Sequence, residues 1–125
     1  MIAYLRNERG AEAVEDALTA PDSQCFAHSI NLCEVFYDFV RSAGETEAIN
    51  AVADLSAAGI IERSDFDRDF WTAAGRLKGT QHRISLADCC GLTLAARLGA
   101  QFLTTDHREL DSLAAAGSYP ITFIR

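Results

Sequence analysis

Residues 85–98 are the segment that most narrows what this 125-residue chain can fold into. The segment reads S-L-A-D-C-C-G-L-T-L-A-A-R-L, and as a helix it is apolar on nearly every side, which is typical of a helix buried between other layers. Asp88 interrupts it in the first turn, three residues after Ser85. This spacing predicts a capping box, in which the two side chains complete the helix start. The alternative is that Asp88 is held at the edge of the core to bind a metal, which requires other acids nearby.

Length, charge and hydropathy exclude several classes of protein. The chain is long enough for one domain with a substantial core, and 49% of its residues are hydrophobic, so we expect a globular protein. A net charge of −7 argues against tight non-specific nucleic-acid binding, although a cation can still bridge carboxylates and phosphates. No apolar run is long enough to span a membrane, and the N-terminus lacks the layout of a signal peptide. We therefore expect a cytoplasmic protein.

Short apolar segments alternate with amphipathic ones along the chain. The hydrophobic spacing predicts helices over 10–18, 29–41, 45–58, 65–79, 85–98 and 106–116, and strands over 24–28, 60–63, 101–104 and 122–124. Strands that alternate with helices indicate a parallel sheet with helices on both faces. The sequence therefore predicts an α/β fold.

Two further acids have candidate functional positions. Glu34 lies in the helix over 29–41, for which Ser29 is the expected N-cap. Glu34 and Asp38 are like charges four residues apart, which costs a helix a few tenths of a kcal/mol. Arg41 can compensate the negative charge of Asp38, whereas the charge of Glu34 would be stabilised by a cation supplied elsewhere in the fold. The simpler interpretation is that Glu34 lies on the solvated face of an amphipathic helix.

Asp106 directly follows the predicted strand over 101–104. With Glu109 it has the spacing of a second capping box, and it also lies where α/β sheets bind ligands, at the carboxyl end of a strand. If Glu34, Asp88 and Asp106 meet at one edge of a sheet, they repel each other unless a cation lies among them. An all-oxygen site favours Mg²⁺ or Mn²⁺ over zinc and suits phosphodiester hydrolysis.

Several sequence motifs occur in an order that resembles a known family. The segments N-L-C-E-V (31–35), S-L-A-D-C (85–89) and L-T-T-D (103–106) resemble the PIN domain, and more narrowly the VapC toxin ribonucleases of bacterial toxin–antitoxin pairs. Y-L-R-N-E-x-G-A-E (4–12) and L-A-A-R-L-G-A (94–100) are also similar to that family. The resemblance extends over essentially the whole chain.

The resemblance implies a fold, an activity and a set of site residues. The fold is a three-layer α/β/α sandwich with a central parallel sheet, here a single domain over residues 1–125. The activity is Mg²⁺- or Mn²⁺-dependent endonucleolytic cleavage of RNA by activated water, in a homodimer inhibited by a cognate antitoxin. Glu34, Asp88 and Asp106 match three of the family's four acidic positions, as catalytic and metal-binding residues. Thr104 matches a small hydroxyl residue near the last acid, and Asn31 is expected to support the ligands.

The basic segment before residue 85 is a candidate for contacts with RNA phosphates through Arg76, Lys78 and Arg83. The resemblance has one departure, because the family's first strand and the acid that ends it have no counterpart in this sequence. Either the start of the chain is misassigned or shortened, or the protein is a catalytically impaired PIN-like module. Such a module would dimerise and bind an antitoxin-like partner without cleaving RNA.

The four cysteines do not form a zinc or redox motif. No C-x-x-C pair is present, so we expect Cys25, Cys33, Cys89 and Cys90 to be reduced, small core residues. The remaining alternative is a hydrolase that uses Cys89 or Cys90 with a histidine, although no sequence feature marks either thiol as activated.

Overall fold

A computed structural model describes all 125 residues. The elements, in chain order, are α1 (Ile2–Leu5), α2 (Ala11–Thr19), β1 (Cys25–His28), α3 (Ser29–Ala43), α4 (Glu45–Ala57), β2 (Ile60–Arg63), α5 (Arg68–Thr80), α6 (Leu86–Leu98), β3 (Phe102–Thr104), α7 (His107–Ala116) and β4 (Ile121–Phe123). They divide into two compact units, Met1–Arg63 together with Arg125, and Ser64–Ile124.

The first unit combines four helices with one pair of strands. β1 pairs in parallel with β2, in a register that runs from Cys25 opposite Ile60 to His28 opposite Arg63. α3 packs against α4, whose Leu55 is fully buried. Both strands are four residues long, so the ladder is short and most of this unit is helical.

The start of α3 differs from the prediction that Ser29 is its N-cap. His28 occupies that position, and its Nδ1 accepts a hydrogen bond of 3.1 Å from the backbone N–H of Ile30. The Ser29 hydroxyl instead donates to a carboxylate oxygen of Glu62 at 2.8 Å, on the neighbouring strand. The prediction was wrong because a histidine with an unprotonated ring nitrogen can accept the same bond as a serine hydroxyl.

The second unit is organised around α6. Residues 89–95 are all buried, which confirms the prediction of a helix that is apolar on nearly every side. Its buried cluster comprises Leu77, Ile84, Cys89, Leu92, Leu110 and Leu113. α6 ends at Gly99, which adopts the left-handed backbone conformation that glycine accepts without steric cost. β3 pairs in parallel with β4 beside this helical core.

The start of α5 is tied to the end of α6 by an arginine. Asp67 is the N-cap of α5, since its carboxylate accepts from the backbone N–H of Phe70 at 3.0 Å. The guanidinium of Arg97 binds both carboxylate oxygens of Asp67, at 2.6 and 2.9 Å, and one oxygen of Asp65 at 2.9 Å. The hydrogen bonds from Arg97, followed by that from the Phe70 amide, hold the pKa of Asp67 far below its ordinary value.

We expect Asp67→Asn to reduce the loss of thermal stability at acid pH. Because the pKa of Asp67 is lower in the folded than in the unfolded chain, its carboxylate stabilises the fold above about pH 4, and this contribution disappears as the pH falls further. Asparagine still caps the helix but does not titrate. Melting curves followed by circular dichroism at neutral and acid pH should show a smaller decrease in melting temperature for the variant. Equal decreases for both proteins would contradict this linkage.

The predicted α/β fold with parallel strands is confirmed, with the strands arranged as two two-stranded ladders, one in each unit. The first element along these 125 residues is the short helix α1. Phe66 lies within the predicted helix over 65–79, but α5 begins only at Arg68, and the side chain of Phe66 is 58% exposed. None of the helices combines the length and apolar character that a bilayer crossing requires.

Candidate metal centre

Three carboxylates meet in the second unit, where α6 and α7 begin. Asp88, Asp106 and Glu109 each offer an oxygen, and these oxygens all lie within 4.8 Å of one another. All three side chains are half-buried. The structure thus brings together Asp88 and Asp106, the two predicted acids of this unit, and adds Glu109.

Asp88 is positioned by the N-terminus of α6. The hydroxyl oxygen of Ser85 accepts from the backbone N–H of Asp88 at 3.0 Å, which confirms Ser85 as the N-cap. In a capping box, the acid of the first turn would accept a hydrogen bond from the Ser85 amide. Here the Ser85 N–H donates to Glu109 at 2.9 Å instead. The prediction that Asp88 itself completes the box was wrong. A residue 24 positions away makes that bond, so the Asp88 carboxylate does not cap the Ser85 amide.

Asp106 is fixed by its own backbone and by the start of α7. Its backbone N–H donates to the hydroxyl oxygen of buried Thr104 at 3.0 Å, at the end of β3. Its carboxylate accepts from the backbone N–H of Glu109 at 2.9 Å and so caps α7. The expected cap is therefore present, and Thr104 holds the turn that presents the Asp106 side chain.

The electrostatics of the cluster favour a cation. Burial raises the pKa of Asp88, a hydrogen bond with Ser85 lowers it, and the charges of Glu109 and Asp106 raise it further. The positive ends of two helix dipoles, α6 and α7, offset part of this repulsion. Three carboxylates this close offer only oxygen ligands, which suits a hard divalent cation such as Mg²⁺ or Mn²⁺.

Two other predicted site residues, the metal-binding acid Glu34 and the supporting residue Asn31, lie in the first unit, on α3. Glu34 is half-buried, and the hydroxyl of Tyr37 donates to its carboxylate at 3.4 Å. That carboxylate is the largest cause of a raised pKa for Tyr37. The neighbouring Asp38 is bound by Arg41 at 3.1 Å, as its spacing predicted, and also by Arg6 at 2.6 Å. Asn31 is buried in the same helix.

The three predicted RNA contacts differ in their surroundings. Arg76 and Arg83 are exposed, the first on α5 and the second in the loop that follows it. The ammonium of Lys78 instead donates to the carbonyl oxygens of His82 at 2.9 Å and Ile84 at 2.7 Å. Lys78 therefore holds this loop in place, in addition to any contact it makes with a ligand.

Glu109 is the site residue that the sequence did not identify, because its spacing from Asp106 already explained it as a helix cap. A signal was available, since the chain has two box patterns, Ser85 with Asp88 and Asp106 with Glu109, each at the start of a helix after a loop. In the structure the Glu109 carboxylate accepts from the Ser85 amide of the other helix start, while the backbone N–H of Glu109 still donates to Asp106.

Neither of the adjacent cysteines on α6 is an activated nucleophile. All four are free thiols, as expected, and Cys89 and Cys90 are buried. Burial raises the pKa of Cys89 to about 11, so this thiol is protonated at neutral pH. Cys33, which was expected in the core, is exposed on α3. The alternative of a cysteine hydrolase at Cys89 or Cys90 therefore loses support.

Comparison with known proteins gives a family and a similar fold. A family model described as PIN domain matches residues 1–116. Among solved structures, the chain is similar to VapBC-1 from nontypeable Haemophilus influenzae, with a TM-score of 0.69 and 18% sequence identity, over 98% of this chain and 92% of that one. No curated protein sequence matches significantly.

Proposed function

Because this chain belongs to the PIN domain family, we propose that it is a divalent-metal-dependent endoribonuclease, the toxin of a toxin–antitoxin pair. One observation carries the proposal: the carboxylate oxygens of Asp88, Asp106 and Glu109 lie within 4.8 Å of one another. Half-buried like charges are costly to hold together, and a cation among them offsets that cost.

The proposed metal ligands combine acids predicted from the sequence with one acid that only the structure identified. Asp88 and Asp106 are the catalytic and metal-binding acids, with Glu109 as a third carboxylate beside them. Glu34 belongs to the set through the family resemblance of N-L-C-E-V. Thr104 supports Asp106 through its hydrogen bond to the Asp106 amide.

The reaction we propose is hydrolysis of an RNA phosphodiester bond. A divalent cation held by these acids would lower the pKa of the attacking water and stabilise the charge that develops on the phosphate. The protein's own part is positioning, because Asp88 and Asp106 lie in helix starts fixed by Ser85 and Thr104. Asn31, buried in α3, is proposed to support the ligand Glu34 on the same helix.

The proposed partners follow from the same resemblance. RNA phosphates would contact Arg76, Lys78 and Arg83, with Lys78 also holding its loop. We further propose that residues 1–125 act as a single PIN-like domain in a cytoplasmic homodimer, and that a cognate antitoxin inhibits it. The fold likeness to VapBC-1 supports the choice of VapC-like toxins among PIN proteins.

Metal removal is the direct test of this proposal. The purified chain should cleave a mixed single-stranded RNA in Mg²⁺ or Mn²⁺, lose that activity in EDTA, and regain it when the metal is returned in excess. Electrophoresis of end-labelled RNA gives the readout. Cleavage that persists in EDTA would contradict the metal mechanism, and no cleavage with either metal would favour the impaired module that binds a partner without cutting RNA.

A further inference from the structure

A pocket of about 500 Å³ lies in the second unit, between the loop after α5 and the first turns of α7. Its lining includes Arg83, Ile84, His107, Arg108 and Glu109. Glu109 is also a member of the carboxylate cluster, so the pocket adjoins the candidate metal centre. We infer that this pocket binds the nucleotide next to the scissile phosphate of a single-stranded RNA, an inference that rests on the proposed function.

The pocket is held in shape by the core beneath it. Ile84, in the loop wall, is 1% exposed and belongs to the same buried cluster as Leu110 of α7. Lys78 anchors the loop again through the carbonyl oxygens of His82 and Ile84. Both walls are therefore fixed before a ligand arrives, which lowers the entropy cost of binding.

The charges in the pocket point to an anion. Arg83 and Arg108 are both exposed, and neither guanidinium forms an ion pair or hydrogen bond within the protein. The two acids of the lining have partners, since Glu109 accepts from the Ser85 amide and Asp111 bonds to His107. Two unpaired arginines are unexpected in a chain of net charge −7 and match the planar, bidentate recognition of phosphate.

One wall of the pocket offers an aromatic surface. The imidazole of His107 stacks on the ring of Phe123, with centroids 4.0 Å apart and planes inclined by 13°. Its Nδ1 lies 2.8 Å from a carboxylate oxygen of Asp111. Because an ionised carboxylate only accepts, Nδ1 carries the proton and the ring is held in one orientation. Half of the side chain remains exposed, so a base can stack on it.

These features together favour an unpaired nucleotide over a duplex. A base that enters a pocket and stacks on a histidine must be free of its Watson–Crick partner, as in sequence-specific recognition of single-stranded RNA. The arginines would contact the flanking phosphate. Because Glu109 belongs to both pocket and cluster, a nucleotide bound here places the adjoining phosphodiester beside Asp88 and Asp106.

Binding without cleavage tests the pocket directly. Fluorescence anisotropy with a labelled single-stranded RNA in EDTA, over a series of salt concentrations, compares the wild type with the double variant Arg83→Ala/Arg108→Ala. We expect the double variant to bind at least about tenfold more weakly. Because both arginines contact one flanking phosphate, the salt slope should fall by about 0.7, the value for one phosphate contact on a single strand. Arg9→Ala is the matched control, since it removes an exposed positive charge outside the pocket.

A second pair of variants tests the stacking surface. His107→Ala should weaken RNA binding by roughly fivefold or more, whereas His107→Phe keeps an aromatic ring and should retain most of the affinity. A role limited to packing on Phe123 would give both variants wild-type affinity. Circular dichroism melting curves confirm that each variant is folded under the conditions of the binding experiment.

The outcomes separate this inference from the proposed function. If the wild type cleaves RNA but the double arginine variant binds as Arg9→Ala does, the pocket is wrong and the nuclease proposal survives. If neither metal supports cleavage while RNA binding depends on Arg83 and Arg108, the nuclease proposal fails and the inference that the pocket binds RNA stands. If the arginines are needed for an acidic antitoxin peptide and not for RNA, the pocket is a protein-binding site and the inference is overturned.

Discussion

Asp88→Asn is expected to lower the rate of RNA cleavage at least about 100-fold, because loss of a residue that merely supports a metal ligand already costs 10- to 100-fold. The asparagine has nearly the same shape, and its backbone N–H still donates to Ser85, so α6 should begin unchanged. The variant removes a negative charge that burial and two neighbouring acids disfavour. We therefore expect the metal-free variant to melt at the same temperature as the wild type or higher.

The response to metal separates this effect from a folding defect. Mg²⁺ or Mn²⁺ should raise the melting temperature of the wild type, since a ligand that binds only the folded state stabilises it, and should have little effect on Asp88→Asn. Asp22→Asn is the matched control, because Asp22 is exposed in the turn before β1. Equal cleavage rates for Asp88→Asn and the wild type would exclude Asp88 from the reaction.

Leu110→Ala is expected to lower the free energy of unfolding by about 2 to 5 kcal/mol, the range for truncation of a buried leucine. Leu110 is fully buried on α7, in the cluster with Leu92 and Ile84. Its loss leaves a cavity between the helix that carries Glu109 and the helix that carries Asp88. Urea denaturation followed by circular dichroism measures the change.

Leu86→Ala provides the comparison for Leu110→Ala. Leu86 is 55% exposed in the first turn of α6, and alanine is an equally good helix former, so the free energy of unfolding should change by no more than about 0.5 kcal/mol. Similar changes for the two variants would contradict the packing of α7 described above.

The sequence predicted the elements well because their signals are local. The apolar character of residues 85–98 and the glycine after them define α6 without reference to other elements. The pairing of Asp38 with Arg41 likewise depends only on helical spacing. Where an element begins was harder to predict, as α5 shows: Asp65, Asp67 and Asp69 all lie near its start, and only Asp67 is its cap.

Contacts between distant segments were beyond local reasoning. The bond from the Ser85 amide to Glu109 joins residues 24 apart, and nothing in either helix start requires it. Asp88 and Asp106 were expected to meet because strand ends and helix starts share an edge in α/β folds. Glu109 satisfies the same rule, but its helix-capping role already accounted for it.

The hydrogen bond between Ser85 and Glu109 also bears on the order in which the protein assembles. The first turn of α6 lacks this partner until α7 has docked, so the arrangement of carboxylates is completed only once the segment 99–109 has folded back. Amide hydrogen exchange at Ser85 therefore reports the docking of α7. Partial unfolding that releases α7 would disassemble the acidic centre while the buried middle of α6 stays protected.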